Sequence, residues 1–508
     1  MKASGAVQRP DGALGVVAAG HPVSARVGGD ALRDGGNAVD AALASTLASL
    51  SCEPLLTGLG AGGYMLVAAP GMPPVLLDFF VAAPGRGFDP ATRSELVPVG
   101  ISFGDAVQEF HVGVASVGAF GLPAGVCAAA ARFGRLGLER LAAPAVRLAR
   151  EGVALNEQQA YIVEILHGIV TSTPEAAALF APSGRLLRAG ELLRQPELGD
   201  ALARLGSDGS DPFYTGDLAA AIVDWVGTRG GALTAADLAA YEVIDREPLR
   251  ASYRGREVLT NPPPSAGGIL IARALAMLDP RPPGPPSAVE LVEVMERTQR
   301  ERTPEFLVGL DDPAFVKDFL ARPVAPLGST THIAALDRDG WACSVTCSNG
   351  SASGVIVPGT GVHLNNMLGE QDLNPLGFHR HPPGRRLPSM MAPTIVLRDR
   401  RAELAVGSAG SNRIRSAILQ TMIRCIDDGL PAQEAVQAPR LHFEDGVVYA
   451  EPGVALDALR RSGRQLAPFR ALNLFFGGAQ AAMRSAAGGF SGGGDPRRGG
   501  AAIVVQAP

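Results

Sequence analysis

A strand that opens on two threonines limits what this chain can be. The stretch GSTTHIAALDRDGWACSVTCSNGSASG, residues 328–354, reads as a hairpin: an alternating run, the turn Asp337-Arg338-Asp339-Gly340, and a second alternating run. Ahead of it stands RPVAPLG, residues 322–328, a loop of Pro, Ala and Gly. Two readings follow. Thr330 is an ordinary strand residue, for which threonine is well suited. Alternatively, the bond after Ser329 is cut and Thr330 becomes an N-terminus. One residue then carries both nucleophile and base. An α-amine has a pKa near 8 and reaches its own Oγ directly or through one water, so no Ser-His-Asp triad is needed.

The rest of the chain must supply a large core with few large rings. Of 508 residues, 46% are hydrophobic but only 5% aromatic, with 63 Gly and 40 Pro. Ala, Val and Leu therefore build the interior, and tight turns are frequent. The length fits one large or two to three ordinary domains. A formal charge of −5, with no block of Lys and Arg, argues against nucleic acid or an anionic membrane as partner. The N-terminal stretch has no long apolar run after its lysine, and no segment approaches the 18 apolar residues of a membrane span. The cytoplasm is the expected location. The five cysteines (Cys52, Cys127, Cys343, Cys347, Cys425) are scattered and odd in number, which points to structural thiols rather than a disulfide framework.

Along the chain, VVAAGHPVSARVGGDALRDGG predicts a short strand and a short helix. Asn37 caps a second, almost wholly apolar helix, AVDAALASTLASLSC. LTGLGAGGYMLVAAP and PVLLDFFVAAPG read as strands, residues 123–153 as helical, and residues 155–250 as helices and loops. TNPPPSAGGILIARALAML is a proline-locked loop opening into a helix, and VELVEVMERTQRER is helical. After Thr330 the texture turns to strands and Gly turns, ending in AAIVV at 501–505.

Other motifs are weaker. The glycines at 58, 60, 62 and 63 do not form G-x-G-x-x-G and enter a strand rather than a helix, so close packing is favoured over phosphate binding. His379 and His381 lack further ligands at metal spacing and read as a solvated loop. Ser408-Ala409-Gly410-Ser411-Asn412-Arg413 precedes the helical IRSAILQTMI. Successive N–H groups in such a turn can hold an oxyanion.

Taken together, these segments resemble the γ-glutamyltranspeptidase (glutathione hydrolase) family of N-terminal-nucleophile hydrolases. The stretches, in the family's order, are VVAAGHPVSARVGGDALRDGGNAVDAALA, LTGLGAGGYMLV, FYTGDLAAAI, LTAADLAAYE, YRGREVLTNPPPSAGGI, STTHIAALDRDG, LNNML, SMMAPTIV and GSAGSNRIRSAILQ. The resemblance implies a four-layer αββα sandwich. It implies autocatalytic cleavage into a large part, 1–329, and a small part, 330–508, that stay together as a heterodimer, with no cofactor or metal. Thr330 matches the nucleophile and Ser348 a hydroxyl that hydrogen-bonds it. Gly410 and Ser411 match the oxyanion hole, where only backbone N–H groups are required.

The substrate-binding positions depart from the pattern. The family's strand Asp-Phe-Arg-Glu, whose arginine holds the α-carboxylate of a γ-glutamyl group, is here Asp78-Phe79-Phe80-Val81. A phenyl ring at Phe80 cannot replace a bidentate guanidinium. The Ser-Ser pair is Pro388-Ser389. Glu370 stands for the aspartate facing the α-amino group, with Met367 for its polar neighbour. Asn349 lies beside the place of a helpful asparagine, which Gly350 occupies, and the lid segment is short. Arg385, Arg386 and Arg413 are candidate replacement cations. The leading expectation is a hydrolase of γ-glutamyl-like or other acyl amides, with hydrolysis favoured over transfer. The alternatives are C–C cleavage in an alkylproline-type natural-product pathway, an acylase of the cephalosporin type, and a non-enzymatic scaffold.

Overall fold

The computed structural model describes residues 12–102, 107–300, 330–374, 377–410 and 413–507. The approach loop 322–328, Ser329, Ser411 and the extreme N-terminus therefore lie outside the described residues. Within them, alternating apolar runs pair into two antiparallel sheets. Seven strands form the first, in the spatial order Ala501–Gln506, Ala13–Ala19, Thr331–Asp337, Ala342–Ser348, Gly62–Ala68, Val75–Phe79 and Ile244–Arg246. Six form the second, in the order Phe490–Gly494, Gly478–Arg484, Arg401–Ala409, Thr394–Arg398, Arg256–Thr260 and Leu249–Tyr253.

Both faces of the central strands are buried, which accounts for their unbroken apolar and small character. Alternate residues divide between two environments. Ile333, Ala335, Cys343 and Cys347 face the helices Pro22–Arg33 and Ala38–Cys52, whereas Ala334, Leu336, Tyr64 and Leu66 face the second sheet. Helices Ala266–Leu278, Ala288–Arg300 and Arg413–Ile426 cover the far side of that sheet. The result is the expected αββα sandwich. Asn37 caps Ala38–Cys52 with a reciprocal capping box, its Oδ1 accepting from the Val39 and Asp40 N–H groups. Asp337, in the hairpin turn, takes the Ala38 N–H at 3.0 Å and the Trp341 N–H at 2.9 Å, so the strand that starts at Thr330 is tied to this helix at its other end.

Strands from before and after Thr330 pair with each other in both sheets. Ala13–Ala19 lies between Thr331–Asp337 and Ala501–Gln506, and Gly62–Ala68 pairs with Ala342–Ser348. In the second sheet Arg256–Thr260 pairs with Thr394–Arg398. A chain cut at Thr330 would remain joined by these ladders and the cores on both sides of them.

Two features differ from the sequence reading. Val97–Ser102 pairs with Val107–Val112 as a hairpin that Pro98 and Gly100 mask as loop. Ile101, Phe110 and Val112 bury it against Leu55 and Ile162. After Thr330 the chain also holds the short helices Ala432–Gln437 and Leu456–Arg461 among its strands. The glycine run packs as expected: a Cβ on Gly60, Gly62 or Gly63 would lie 2.4–2.6 Å from backbone atoms of neighbouring segments. All five thiols are unpaired. Burial pushes Cys52, Cys347 and Cys425 up to about 12. No described helix is long and apolar enough to cross a membrane.

Candidate active site

Thr331 pairs with Cys347, and carrying that register one residue further sets Thr330 opposite Ser348. Ser348 in turn pairs with Gly62, and the next register sets Gly62 opposite Phe80. Thr330, Ser348, Gly62 and Phe80 thus form one row across four neighbouring strands, on the face between the sheets. The ends of the row lie roughly 14 Å apart along the backbone. Gly62 leaves the middle of the row without a side chain.

Above this row a narrow cavity is lined by Phe80, Thr330, Met367, Glu370, Leu373, Ser389, Met390 and Met391. The room for the centre of a water-sized sphere is only about 10 Å³, that of one water. A substrate must therefore displace part of the wall. Three of the wall residues are methionines, whose unbranched side chains re-pack at low cost. The main chain behind them is fixed: Ser265 Oγ donates to the Ser389 and Met391 carbonyls at 3.0 and 2.7 Å, and Asn261 Nδ2 donates to Met391 O at 2.8 Å.

Thr330 is 1% exposed, and among the described residues its Oγ1 makes no hydrogen bond. Ser348 Oγ accepts the Gly350 N–H at 2.8 Å, which orients it within the turn that ends its strand. Gly410 closes the second-sheet strand with φ +117°, and a Cβ there would sit 2.4 Å from Gly477 Cα, so the position requires glycine twice over. Its carbonyl accepts the Arg413 N–H at the start of helix Arg413–Ile426. The two sheets meet here, since the His332 ring fills the space where Gly407 has no side chain. His332 Nδ1 lies 2.8 Å from Thr346 Oγ1, and burial lowers its pKa to about 3, so this imidazole is neutral and committed to a neighbour.

Glu370 is buried, with Oε1 accepting the Ser351 N–H at 3.0 Å. Ser389 Oγ accepts the Met391 N–H at 3.0 Å. Phe80 is fully buried and stacks on Tyr64 with centroids 5.3 Å apart. Asn349 is not brought to the cavity. Its Nδ2 donates to the His363 carbonyl at 3.0 Å, on the side facing Gly58. The asparagine beside Glu370 is Asn366, which sequence reasoning passed over. Its Nδ2 donates to Ser351 Oγ at 2.7 Å and its buried Oδ1 has no partner. A Cβ on Gly350, which has φ +67°, would meet Asn366 Oδ1 at 2.0 Å and Glu370 Oε1 at 2.7 Å, so Asn366 fills the space left by that glycine. Its signal was its place in LNNML, next to Met367.

Two of the suggested replacement cations are engaged elsewhere. Arg386 lies 3.3 Å from Asp78, stacks over Tyr241 and donates to the Glu242 carbonyl. Arg413 donates to the Phe475 carbonyl at 2.8 Å and stacks on that ring. Arg385 is absent from the cavity wall, and its carbonyl accepts the Ala83 N–H. The His379–His381 loop is partly buried rather than fully solvated, with His381 Nε2 lying 3.1 Å from the Leu373 carbonyl. No group of three or more His, Cys, Asp or Glu among the described residues is placed to hold a metal ion.

On the helix-facing side of the strand after Thr330, Thr331 Oγ1 donates to Glu53 Oε2 at 2.9 Å. Burial lifts this carboxyl to about 7, against the lowering effect of the Thr331 bond and of Arg498. The folded value lies above the unfolded one, near 4.3. Stability from this group is thus present below about pH 4 and lost as pH rises through 7. Glu53→Gln keeps the shape without the charge. Urea titrations are expected to show it more stable than wild type at pH 8, by on the order of 3 kcal/mol, with the gap closing toward pH 4. Equal stabilities at pH 8 would rule out a Glu53 carboxyl raised by burial.

The family model described as gamma-glutamyltranspeptidase matches residues 24–505. The chain is 30% identical over 473 residues to the acylase ACY 1 proenzyme of Pseudomonas sp. (strain SE83), covering 87% of this chain and 85% of that protein. It is 31% identical over 494 residues to the glutathione hydrolase proenzyme of Escherichia coli (strain K12), covering 88% and 84%. Among solved structures, a cephalosporin acylase from Bacillus halodurans superposes with a TM-score of 0.83 at 27% identity, over 99% of this chain and 98% of that one.

Proposed function

Because the chain belongs to the γ-glutamyltranspeptidase family of N-terminal-nucleophile hydrolases, we propose that it is a self-cleaving amide hydrolase whose acyl group carries an amine or other donor but no α-carboxylate. The observation that carries this reading is the cavity itself, in which Thr330 and Glu370 share one wall with Phe80 and three methionines.

Processing begins with attack of Thr330 Oγ1 on the Ser329 carbonyl carbon. The peptide nitrogen leaves, giving an ester, which water hydrolyses to free the α-amine of Thr330. In turnover that amine takes the Oγ1 proton as Oγ1 attacks the substrate carbonyl. The N–H groups of Gly410 and Ser411 receive the oxyanion. The Gly410 N–H is a donor held by the fold before charge develops, and such a donor needs no reorganisation during the reaction. Collapse expels the amine, which takes a proton from the α-ammonium. Water then enters by the same route in reverse and releases the acid.

An acylase-type substrate is favoured over a γ-glutamyl one by Phe80, because burying a carboxylate against a phenyl ring without a cation costs several kcal/mol. Glu370 supplies the complementary prediction. Glu370→Gln is expected to raise KM roughly 10–100-fold for acyl groups bearing an amine, the worth of a charged hydrogen bond, with kcat within about threefold. Steady-state kinetics on paired acyl anilides with and without the amine would test it. An equal effect on both substrates would remove Glu370 from acyl recognition.

A further inference from the structure

Three buried arginines converge at the end of the sandwich that holds Thr330, and two of them are fully paired. Arg497 lies 2.5 Å from Glu451 and 3.1 Å from Asp495. Arg440 lies 2.7 Å from Asp495. Arg498 is different. It is 6% exposed, yet among the described residues its side chain makes no hydrogen bond or ion pair, and its Nε is buried without a partner. Burying a guanidinium costs desolvation, which the nearby Asp495 and Glu53 offset only in part, with no direct hydrogen bond among the described residues.

Its position gives the reason. Ala19 pairs with both Ile333 and Ala501, so the segment just before Ala501 lies at the same end of the sheet as Thr330. Arg498 reaches from there toward the second sheet. A Cβ on Gly478 would lie 2.5 Å from its Cδ, and one on Gly410 3.4 Å from its Nη2. The absence of side chains at two glycines makes its berth, and one of them is the turn glycine whose N–H faces the reacting oxygen in the reading above. The charged groups around it are Arg413, Asp495 and Glu53, of which Asp495 is already shared by Arg440 and Arg497.

Resting on the Thr330 reading, we propose that Arg498, without a hydrogen-bond or ion-pair partner among the described residues, is held so that its charge acts through space on the tetrahedral oxyanion at the Gly410 turn. A cation with no direct hydrogen-bond partner in the ground state gains further attraction when the oxyanion forms, and such differential stabilisation raises kcat rather than lowering KM.

The test uses the processed enzyme and butylboronic acid. Thr330 Oγ1 forms a bond to boron, its proton passes to the α-amine, and the boronate becomes a tetrahedral anion. Butyramide, neutral and planar, is the comparison inhibitor. Arg498→Gln is expected to lower kcat and weaken butylboronic acid by the same factor, roughly 10–100-fold. KM and butyramide inhibition should stay within about threefold. Arg498→Lys should restore most of the loss. A merely structural role would weaken both inhibitors alike, and that result, or unchanged boronate binding, overturns the inference. Should Arg498→Gln fail to fold or cleave, Glu53→Gln with Arg498 intact reads the same field. Removing the opposing charge at pH 8 should tighten butylboronic acid roughly two- to fivefold; no tightening overturns it equally. If wild type neither cleaves nor binds butylboronic acid, the nucleophile reading itself fails. A cleaved, boronate-binding wild type with an indifferent Arg498 removes this inference alone.

Discussion

Thr330→Ala is expected to yield a single chain of 508 residues where the wild type yields two, and to lower amide turnover on the order of 10⁴-fold or more. Denatured intact mass reads the first effect without a substrate. The wild-type masses should match residues 1–329 and 330–508. Folding should survive the change, because among the described residues Thr330 Oγ1 makes no hydrogen bond that alanine would break. The ladders between Ala13–Ala19 and Thr331–Asp337 do not involve its side chain. Thr330→Ser keeps both hydroxyl and future amine and should still cleave. Two fragments from the alanine variant would mean that another protease makes the cut. An uncut wild type after long incubation would leave Thr330 without a free amine, and the scaffold reading would then stand ahead. In the cleaved enzyme kcat/KM should rise toward pH 8, because the base must be the neutral amine, with an ordinary pKa near 8.

The parts of this site that were legible in sequence are those set by local rules. Thr330 heads an alternating run, Asn37 precedes an apolar helix, and Gly410 precedes another, so short-range pattern places all three. The strand register then puts Ser348 opposite Thr330 with no further information. What was not legible depends on distant pairing. Glu53 lies 278 residues from Thr331, and nothing near either residue announces their hydrogen bond. Arg386 read as a free cation because Asp78, which holds it, is on a strand from the other side of Thr330. Asn349 was chosen for its adjacency to Gly350, but a one-residue offset turned it toward His363 and left the place to Asn366. Arg498 stands in the short 3-10 helix Pro496–Arg498 beside Arg497, and only burial and bonding among the described residues tell the two arginines apart.

The same distinction between local pattern and distant pairing makes Phe80 a sharp test of acyl-group choice. Its backbone is pinned independently of its ring: the N–H donates to Asp78 Oδ1 at 2.9 Å and the carbonyl accepts from Tyr241 Oη at 2.7 Å. A new side chain therefore starts from the same point on the cavity wall. Phe80→Arg is expected to raise kcat/KM for γ-glutamyl anilides roughly 10–100-fold, since a charge-assisted contact to the α-carboxylate is worth about 1.5–3 kcal/mol. Turnover of acyl anilides without that carboxylate should fall. Asp78 will not capture the new guanidinium cheaply, because Arg246 at 2.8 Å and Arg386 at 3.3 Å already hold it. Those two cations, and loss of the stack on Tyr64, should lower stability by about 1–3 kcal/mol. Phe80→Leu separates the charge from the loss of the ring: it should show only the part of the stability loss due to the lost stack, without the γ-glutamyl gain. A cleaved, folded Phe80→Arg enzyme with no gain would mean that the carboxylate of a γ-glutamyl substrate does not lie against this wall. The selectivity would then have to come from Ser389 and the methionines opposite.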